Sequence, residues 1–272
     1  MTVNPIRILF IGDIVGRPGR NVIIDKIAHW RKQFELDVVL ANAENASGGN
    51  GLTTRNAGEL FDSGVDFLTG GNHIWKQKDY PDMFKTWPNV IRPANYPDEV
   101  PGKGWSILEF KDEVKIGVMN LQGRVFMDPI DCPFRKADEI VEILREETSV
   151  IIVDMHAEAT SEKVAMGYYL DGRVSAVMGT HTHVQSADER ILPGGTAYMT
   201  DLGMTGPRDG VLGVDAEAIL KRFITGLPVR FSIAMGPTIV NSAIISIDPS
   251  TGNATGVERF QKIYDSPRER ES

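Results

Sequence analysis

The sequence predicts a layered α/β core with buried parallel strands, and two observations predict it. Short apolar, β-branched runs recur at residues 8–11, 38–41, 67–68, 150–153 and 174–178, each followed by small or polar residues. Segments of helical period lie between several of them. Taken in order, the first strand at 8–11 leads into a helix over 20–34, with apolar Val22, Ile23, Ile27 and Trp30 and with Pro18 in its first turn. The second strand at 38–41 is followed by a helix over 53–61 and the third strand at 67–68. Residues 80–101, rich in Pro and Asn, read as an insertion over the core. Strands at 105–110 and 114–120 flank Lys111-Asp112-Glu113 as a hairpin, and a helix over 136–145 precedes the fourth strand at 150–153. After the fifth strand at 174–178, a second hairpin pairs 189–192 with 196–199 across Pro193-Gly194-Gly195. The strand expected at 238–247 turns at 249–253 and finds its partner at 256–263. There is no repeat, low-complexity tract or linker long enough to divide the chain. One domain is therefore expected over residues 1–264, with a charged tail over 265–272.

Composition bounds what such a core can do. A hydrophobic fraction of 42% over 272 residues supports a large core and excludes a mainly disordered chain. A single cysteine forms neither an internal disulfide nor a cysteine-based zinc site. No run approaches the roughly eighteen apolar residues of a membrane span. The passage from Met1 to Asp13 is too short and too soon charged for a signal peptide, so a cytoplasmic location is expected. Acidic residues outnumber basic ones, 37 to 29, for a net charge of −8, which argues against non-specific nucleic-acid binding. Small phosphorylated substrates remain compatible, because a local metal overrides a global negative field.

The chemistry is concentrated in histidine. Of five in the chain, His73, His156, His181 and His183 each follow a predicted strand. Ligands of open α/β sheets bind outside the carboxyl ends of strands. Asp13 follows the first strand, Glu44-Asn45 the second and Asn72-His73 the third, so five strand ends deliver carboxylate, amide and imidazole groups to one rim. Imidazole and carboxylate without thiolate suit Fe, Mn or Zn. Seven candidate ligands exceed one ion and suit two, which at roughly 3.5–4 Å apart clamp an in-line phosphoryl displacement. His181 and His183 share a side if the backbone is extended, and could then reach different ions. Singly, each residue has a plainer reading: Asp13 as a cap, Glu44, Asn45 and Asn72 as turn residues, His156 as a solvated loop side chain. Their agreement at five strand ends is what favours a site. His29, mid-helix beside Trp30, and Asp154 are read as structural, although Asp154 could orient an imidazole from behind. Arg17 and Arg20 either contact a phosphate or line a solvated helix face. The glycines at 12–19 lack dinucleotide spacing, those at 48–51 lack the Lys-Ser/Thr of a phosphate loop, and Cys132 has no nearby histidine.

These residues also form a familiar set. Gly12-Asp13, Gly71-Asn72-His73, His156 and Gly179-Thr180-His181-Thr182-His183 resemble the calcineurin-like metallophosphoesterases. Gly12-Asp13-Ile14-Val15-Gly16, Ala43-Glu44-Asn45-Ala46 and Thr69-Gly70-Gly71-Asn72-His73 are similar to the YmdB-like branch, and the likeness runs from about Ile8 to at least Met204. Against the wider superfamily, Val15 stands where the first motif carries His, Glu44 replaces the bridging Asp, and Ile74 replaces the acidic residue that often follows Asn-His. The resemblance implies a two-sheet sandwich flanked by helices, in α/β/β/α layers. It implies that Asp13, Glu44, Asn45 and His183 hold one metal and Glu44, Asn72, His156 and His181 a second, with Glu44 bridging. His73 is then the general acid. The branch implies a homo-oligomeric phosphodiesterase acting on small diesters, cyclic nucleotides included, with two ions of iron or manganese, or zinc.

The leading expectation is accordingly a di-metal phosphodiesterase in which a metal-bridging hydroxide attacks phosphorus and His73 protonates the leaving oxygen. A phosphomonoesterase or nucleotidase on the same site is one alternative. Another is a regulatory protein whose metal site mainly stabilises or senses, against which the presence of the non-ligating His73 argues. A dinucleotide-binding protein is the most distant.

Overall fold

The computed structural model describes residues 4–110 and 114–265. Along the chain these form β1 (Ile6–Ile11), β2 (Asp13–Ile14), α1 (Gly16–Gln33), β3 (Val38–Asn42), α2 (Thr54–Ser63), β4 (Phe67–Thr69) and α3 (Tyr80–Thr86). There follow β5 (Trp105–Phe110), β6 (Val114–Gln122), α4 (Pro133–Arg145), β7 (Val150–His156), α5 (Thr160–Leu170) and β8 (Ala176–Thr180). The last are β9 (Arg190–Ile191), β10 (Ala197–Met199), β11 (Met204–Pro207), α6 (Ala216–Thr225), β12 (Thr238–Ile247) and β13 (Ala254–Tyr264). No helix among the described residues is long and apolar enough to cross a membrane.

Two mixed sheets form, ordered β2-β11-β12-β1-β3-β4 with β13 beside β12, and β5-β6-β7-β8-β10-β9. In the first, β1, β3 and β4 run parallel at one end, β12 runs antiparallel to β1, β11 and β13, and β2 pairs parallel with β11; in the second, β6-β7-β8-β10 form a parallel centre between antiparallel β5 and β9. Alternation along the strands explains why the central runs are apolar at successive positions. In β1, Leu9 and Ile11 pack with Ile23, Ile27 and Trp30 of α1. Ile8 and Phe10 face the other way, toward Ile116, Val118, Ile152 and Met178 of the second sheet. In β7, Ile151 and Val153 turn from that middle core toward Ile140 and Leu144 of α4 and Met166 of α5. Three cores separate four layers, in the order helix, sheet, sheet, helix.

Several elements depart from the expected bounds. Helix α1 begins at Gly16, four residues before Arg20, directly after the β2 pair. The fifth strand starts at Ala176 and extends to Thr180. Residues 80–101 are no overlying insertion. They contain α3, and they deliver Val90, Ile91 and Ala94 to the first, second and third cores in turn. Three elements are additional to those expected: α5, whose Thr, Gly and paired Tyr residues are weak helix formers, α6 and β11. Both expected hairpins pair, β5 with β6 and β9 with β10, while Lys111-Asp112-Glu113 lies outside the described residues, as does the tail from 266.

Phe10 is fully buried between the sheets. Phe10→Ala should therefore cost about 3–5 kcal/mol, read as a lowered midpoint in chemical denaturation.

Candidate active site

The parallel strands of both sheets end at one seam, and the side chains beyond those ends meet there. Glu44, fully buried after β3, is the centre. Its Oε2 lies 3.3 Å from His156 Nε2 and accepts the His73 backbone N–H at 2.9 Å. Its Oε1 accepts from Asn45 Nδ2 at 2.8 Å and lies 3.4 Å from His73 Nδ1. His156 Nε2 is also 3.1 Å from Asn72 Oδ1 and 3.1 Å from His181 Nδ1. Glu44, Asn72, His156 and His181 thus turn four electron-pair donors on one point. On the other side of Glu44, His183 Nε2 is 3.8 Å from Asp13 Oδ1 and 3.3 Å from Asn45 Nδ2.

Neighbouring groups fix how these rings are held. Thr180 Oγ1 donates to Asp154 Oδ1 at 2.6 Å, so it accepts from His156 Nδ1 at 2.9 Å. That keeps a proton on Nδ1 and leaves Nε2 for the cluster. Asn42 Nδ2 and the Thr69 hydroxyl complete the shell of Asp154. Glu158 lies 3.2 Å from His181 Nε2 and so turns His181 Nδ1 inward. His73 is oriented through Nδ1 by Asn45 Oδ1 at 3.0 Å and by Glu44, in place of the acidic neighbour that Ile74 replaces.

The electrostatics favour positive charge at the centre. Burial alone would raise Glu44, but the His156 and His73 rings outweigh it and hold the carboxyl well below the usual range. Burial alone would lower His156, but Glu44, Asp13 and Asp154 push it up to about 9. Burial together with that neighbouring ring takes His181 down to about 3. Burial also lifts Asp13 against the pull of His183 and His156, and lifts Asp154 to about 6.

A divalent metal fits these residues on three counts. Asp13 Oδ1 is buried without a hydrogen bond. Gly71 forms a cradle, because a Cβ there would overlap Glu44 Oε2 and His156 Nε2. The donors are oxygens and imidazole nitrogens, the set that suits Fe, Mn and Zn. Asn45 is in the cluster, but its Oδ1 is turned to His73 and its Nδ2 to His183.

All eight predicted site residues, Asp13, Glu44, Asn45, Asn72, His73, His156, His181 and His183, come together. The two rings of His181 and His183 do face different donor groups, but not from an extended backbone: their φ values are +99° and +67°. Arg20 is taken up by the Ala46 carbonyl and by Glu59 at 3.6 Å, Arg17 is exposed, and His29 lies on the exposed face of α1. Asp154 proves to be the orienting group behind His156, and its spacing of two residues along β7 was the available signal. Glu158 carried the same two-residue spacing from His156, on its far side, but lies past the end of β7, where alternation no longer sets the side.

The profile of the YmdB-like protein family matches residues 9–260. A Bacillus subtilis protein named 2′,3′-cyclic-nucleotide 2′-phosphodiesterase is 50% identical over 93% of this chain and 96% of its own. A solved Mycoplasma pneumoniae structure, described as a novel phosphatase, superposes with a TM-score of 0.91 at 35% identity, covering 98% of this chain and 96% of its own. A hypothetical protein of Thermus thermophilus superposes at 0.89 with 40% identity, covering 96% of this chain and all of its own.

Gly71→Ala puts a methyl group into the cradle. Its backbone conformation suits alanine, so the strain falls on the Glu44 and His156 side chains it would overlap, and metal bound per chain, measured by elemental analysis, should fall. His29→Ala should leave metal content unchanged.

Proposed function

This chain belongs to the YmdB-like family, and from that membership we propose that it is a metal-dependent phosphodiesterase that opens 2′,3′-cyclic nucleotides at the 2′ bond, the activity for which its Bacillus subtilis relative is named. The observation that carries the reading is Glu44, whose two oxygens face two separate donor groups across one carboxylate. Asp13, Glu44, Asn45 and His183 would hold one ion, and Glu44, Asn72, His156 and His181 the other. Iron or manganese, or zinc in their place, supplies when bound Lewis-acid stabilisation of the phosphoryl oxygens and a hydrolytic nucleophile at neutral pH. A homo-oligomeric state and a cytoplasmic location, expected from the sequence, belong to the same proposal.

Hydrolysis at the 2′ bond adds water at phosphorus, breaks P–O2′ and sends a proton to O2′. A ribose alkoxide is a strong base, so the leaving side needs a donor. His73 is the candidate, because Nδ1 is engaged by Asn45 and Glu44 while Nε2 is free of protein partners among the described residues. Asn45 couples the two tasks. For its oxygen to serve as a ligand the amide must turn over, and its Nδ2 then donates to His73 Nδ1. That exchange leaves the ring proton on Nε2, the side open to a leaving group. The diester is preferred to a monoester on the relative's named activity.

His73→Ala should keep its metal and lose about 10²–10⁴ in rate on a cyclic nucleotide. The loss should be smaller on a nitrophenyl diester, whose leaving group is stable as an anion. Equal losses on both substrates, or a lost metal equivalent, would remove His73 from the acid role. Glu44→Ala should reduce occupancy of both metal positions in elemental analysis. Undiminished binding of two ions would refute the bridging role.

A further inference from the structure

We infer that Asp201, held by Lys163, is a positioning residue for the metal site: one buried carboxylate sets the conformation of the loop that carries His181 and His183 and, through Gly203, the position of Asp13. The inference rests on the reading of those three residues as ligands. Asp201 follows β10, Lys163 lies on α5, and both side chains are almost fully buried. Lys163 Nζ is 2.5 Å from Asp201 Oδ2. The same oxygen accepts the backbone N–H of Thr182 at 3.1 Å and its hydroxyl at 2.8 Å. Asp201 Oδ1 accepts the Gly203 N–H at 2.7 Å, and the Gly203 carbonyl accepts the Asp13 N–H at 3.0 Å. Asp13 in turn accepts the His181 N–H through Oδ2 at 3.1 Å. The far side of the loop is tied to the same residue: the Asp201 carbonyl accepts from Ser186 N–H at 3.0 Å, and Asp201 N–H donates to Ser186 Oγ at 2.9 Å.

The loop needs this holding. His181 and His183, on either side of Thr182, both occupy the left-handed region. Non-glycine residues persist there only where the surroundings over-determine them. The strained arrangement places the two rings in different halves of the cluster, His181 against His156 and His183 against Asp13. A buried ion pair is a poor device for stability alone, since an apolar pair of similar volume often serves as well. Here the carboxylate accepts four donors in a fixed fan, a task no apolar side chain performs. Lys163 balances its charge without occupying Oδ1.

Asp201→Asn keeps the shape but cannot accept on both sides. Whichever way the amide faces, its Nδ2 meets the donors of Lys163 and Thr182 or the N–H of Gly203. The test is Mn2+ binding by titration calorimetry on full-length protein, beside thermal unfolding in chelator. Asp201→Asn is expected to bind Mn2+ about 10–100-fold more weakly, the usual effect of removing a partner that orients ligands. Turnover of a cyclic nucleotide should recover at saturating Mn2+. Thr182→Val, which removes only the hydroxyl, should shift affinity in the same direction by less, and it decides the matter if Asp201→Asn does not fold. A lowered unfolding temperature with unchanged Mn2+ affinity, in whichever variant folds, would make Asp201 merely structural and overturn the inference alone. A wild-type protein that binds no Mn2+, Fe2+ or Zn2+ would overturn it together with the reading of the site.

Discussion

The structure turns on the burial of negative charge. Asp13, Glu44 and Asp154 have no appreciable exposure, and they lie at the seam where two sheets end. A carboxylate removed from water must be neutralised, hydrogen-bonded or paired. The three are handled differently, and the differences organise the site. Asp154 is surrounded by hydroxyl and amide donors from Thr180, Thr69 and Asn42. Glu44 is met by imidazoles and a backbone N–H. Asp13 keeps one oxygen without a hydrogen bond. From Asp154 through Glu44 to Asp13 the carboxylates pass from fully to partly satisfied by the protein's own donors.

The sheets are built to permit this concentration. Parallel strands bring their carboxyl ends to one side, and the missing side chains of glycines let those ends approach. A Cβ at Gly12 would overlap the Gly203 carbonyl, and one at Gly71 would fill the space between Glu44 and His156. Both glycines are therefore required by close approach rather than by turn geometry. The β2–β11 pairing, Met204 with Asp13 and Thr205 with Ile14, carries the first carboxylate out beyond β1 and ties it to the segment that holds Asp201. Site and scaffold are joined by the same backbone bonds.

What was legible in the sequence follows from these constraints. Strands covered on both faces announce themselves as apolar runs, so β1, β3, β7 and the residues just past them could be read directly. The ligand candidates stood at strand ends, where a polar residue breaks an apolar run and is conspicuous. Helix α5 was not legible, because Gly167 is set by the close approach of the Tyr198 ring and Tyr168 and Tyr169 stand exposed, so neither helical preference nor an apolar stripe marks it. The left-handed backbone at His181 and His183 was equally hidden. Extended geometry was the natural assumption for a His-x-His unit, and the other conformation is tied down by long-range bonds, from Asp201 to Thr182 and from Asp13 to His181. Lys163 and Asp201 are 38 residues apart, so no local spacing relates them.

Exposure separates the histidines of the cluster. The His156 side chain is 0% exposed, His183 14% and His181 20%, whereas His73 is 37% exposed. A ligand gains from burial, since dehydration strengthens its attraction to a cation and excludes competing water. A proton donor to substrate must instead stand where substrate displaces water. His73 stands in that way: its backbone N–H and Nδ1 are fixed by the buried Glu44 and by Asn45, while the remainder of the ring faces outward. The same carboxylate that gathers the buried groups also holds the exposed ring, so the buried and the exposed histidines share one anchor.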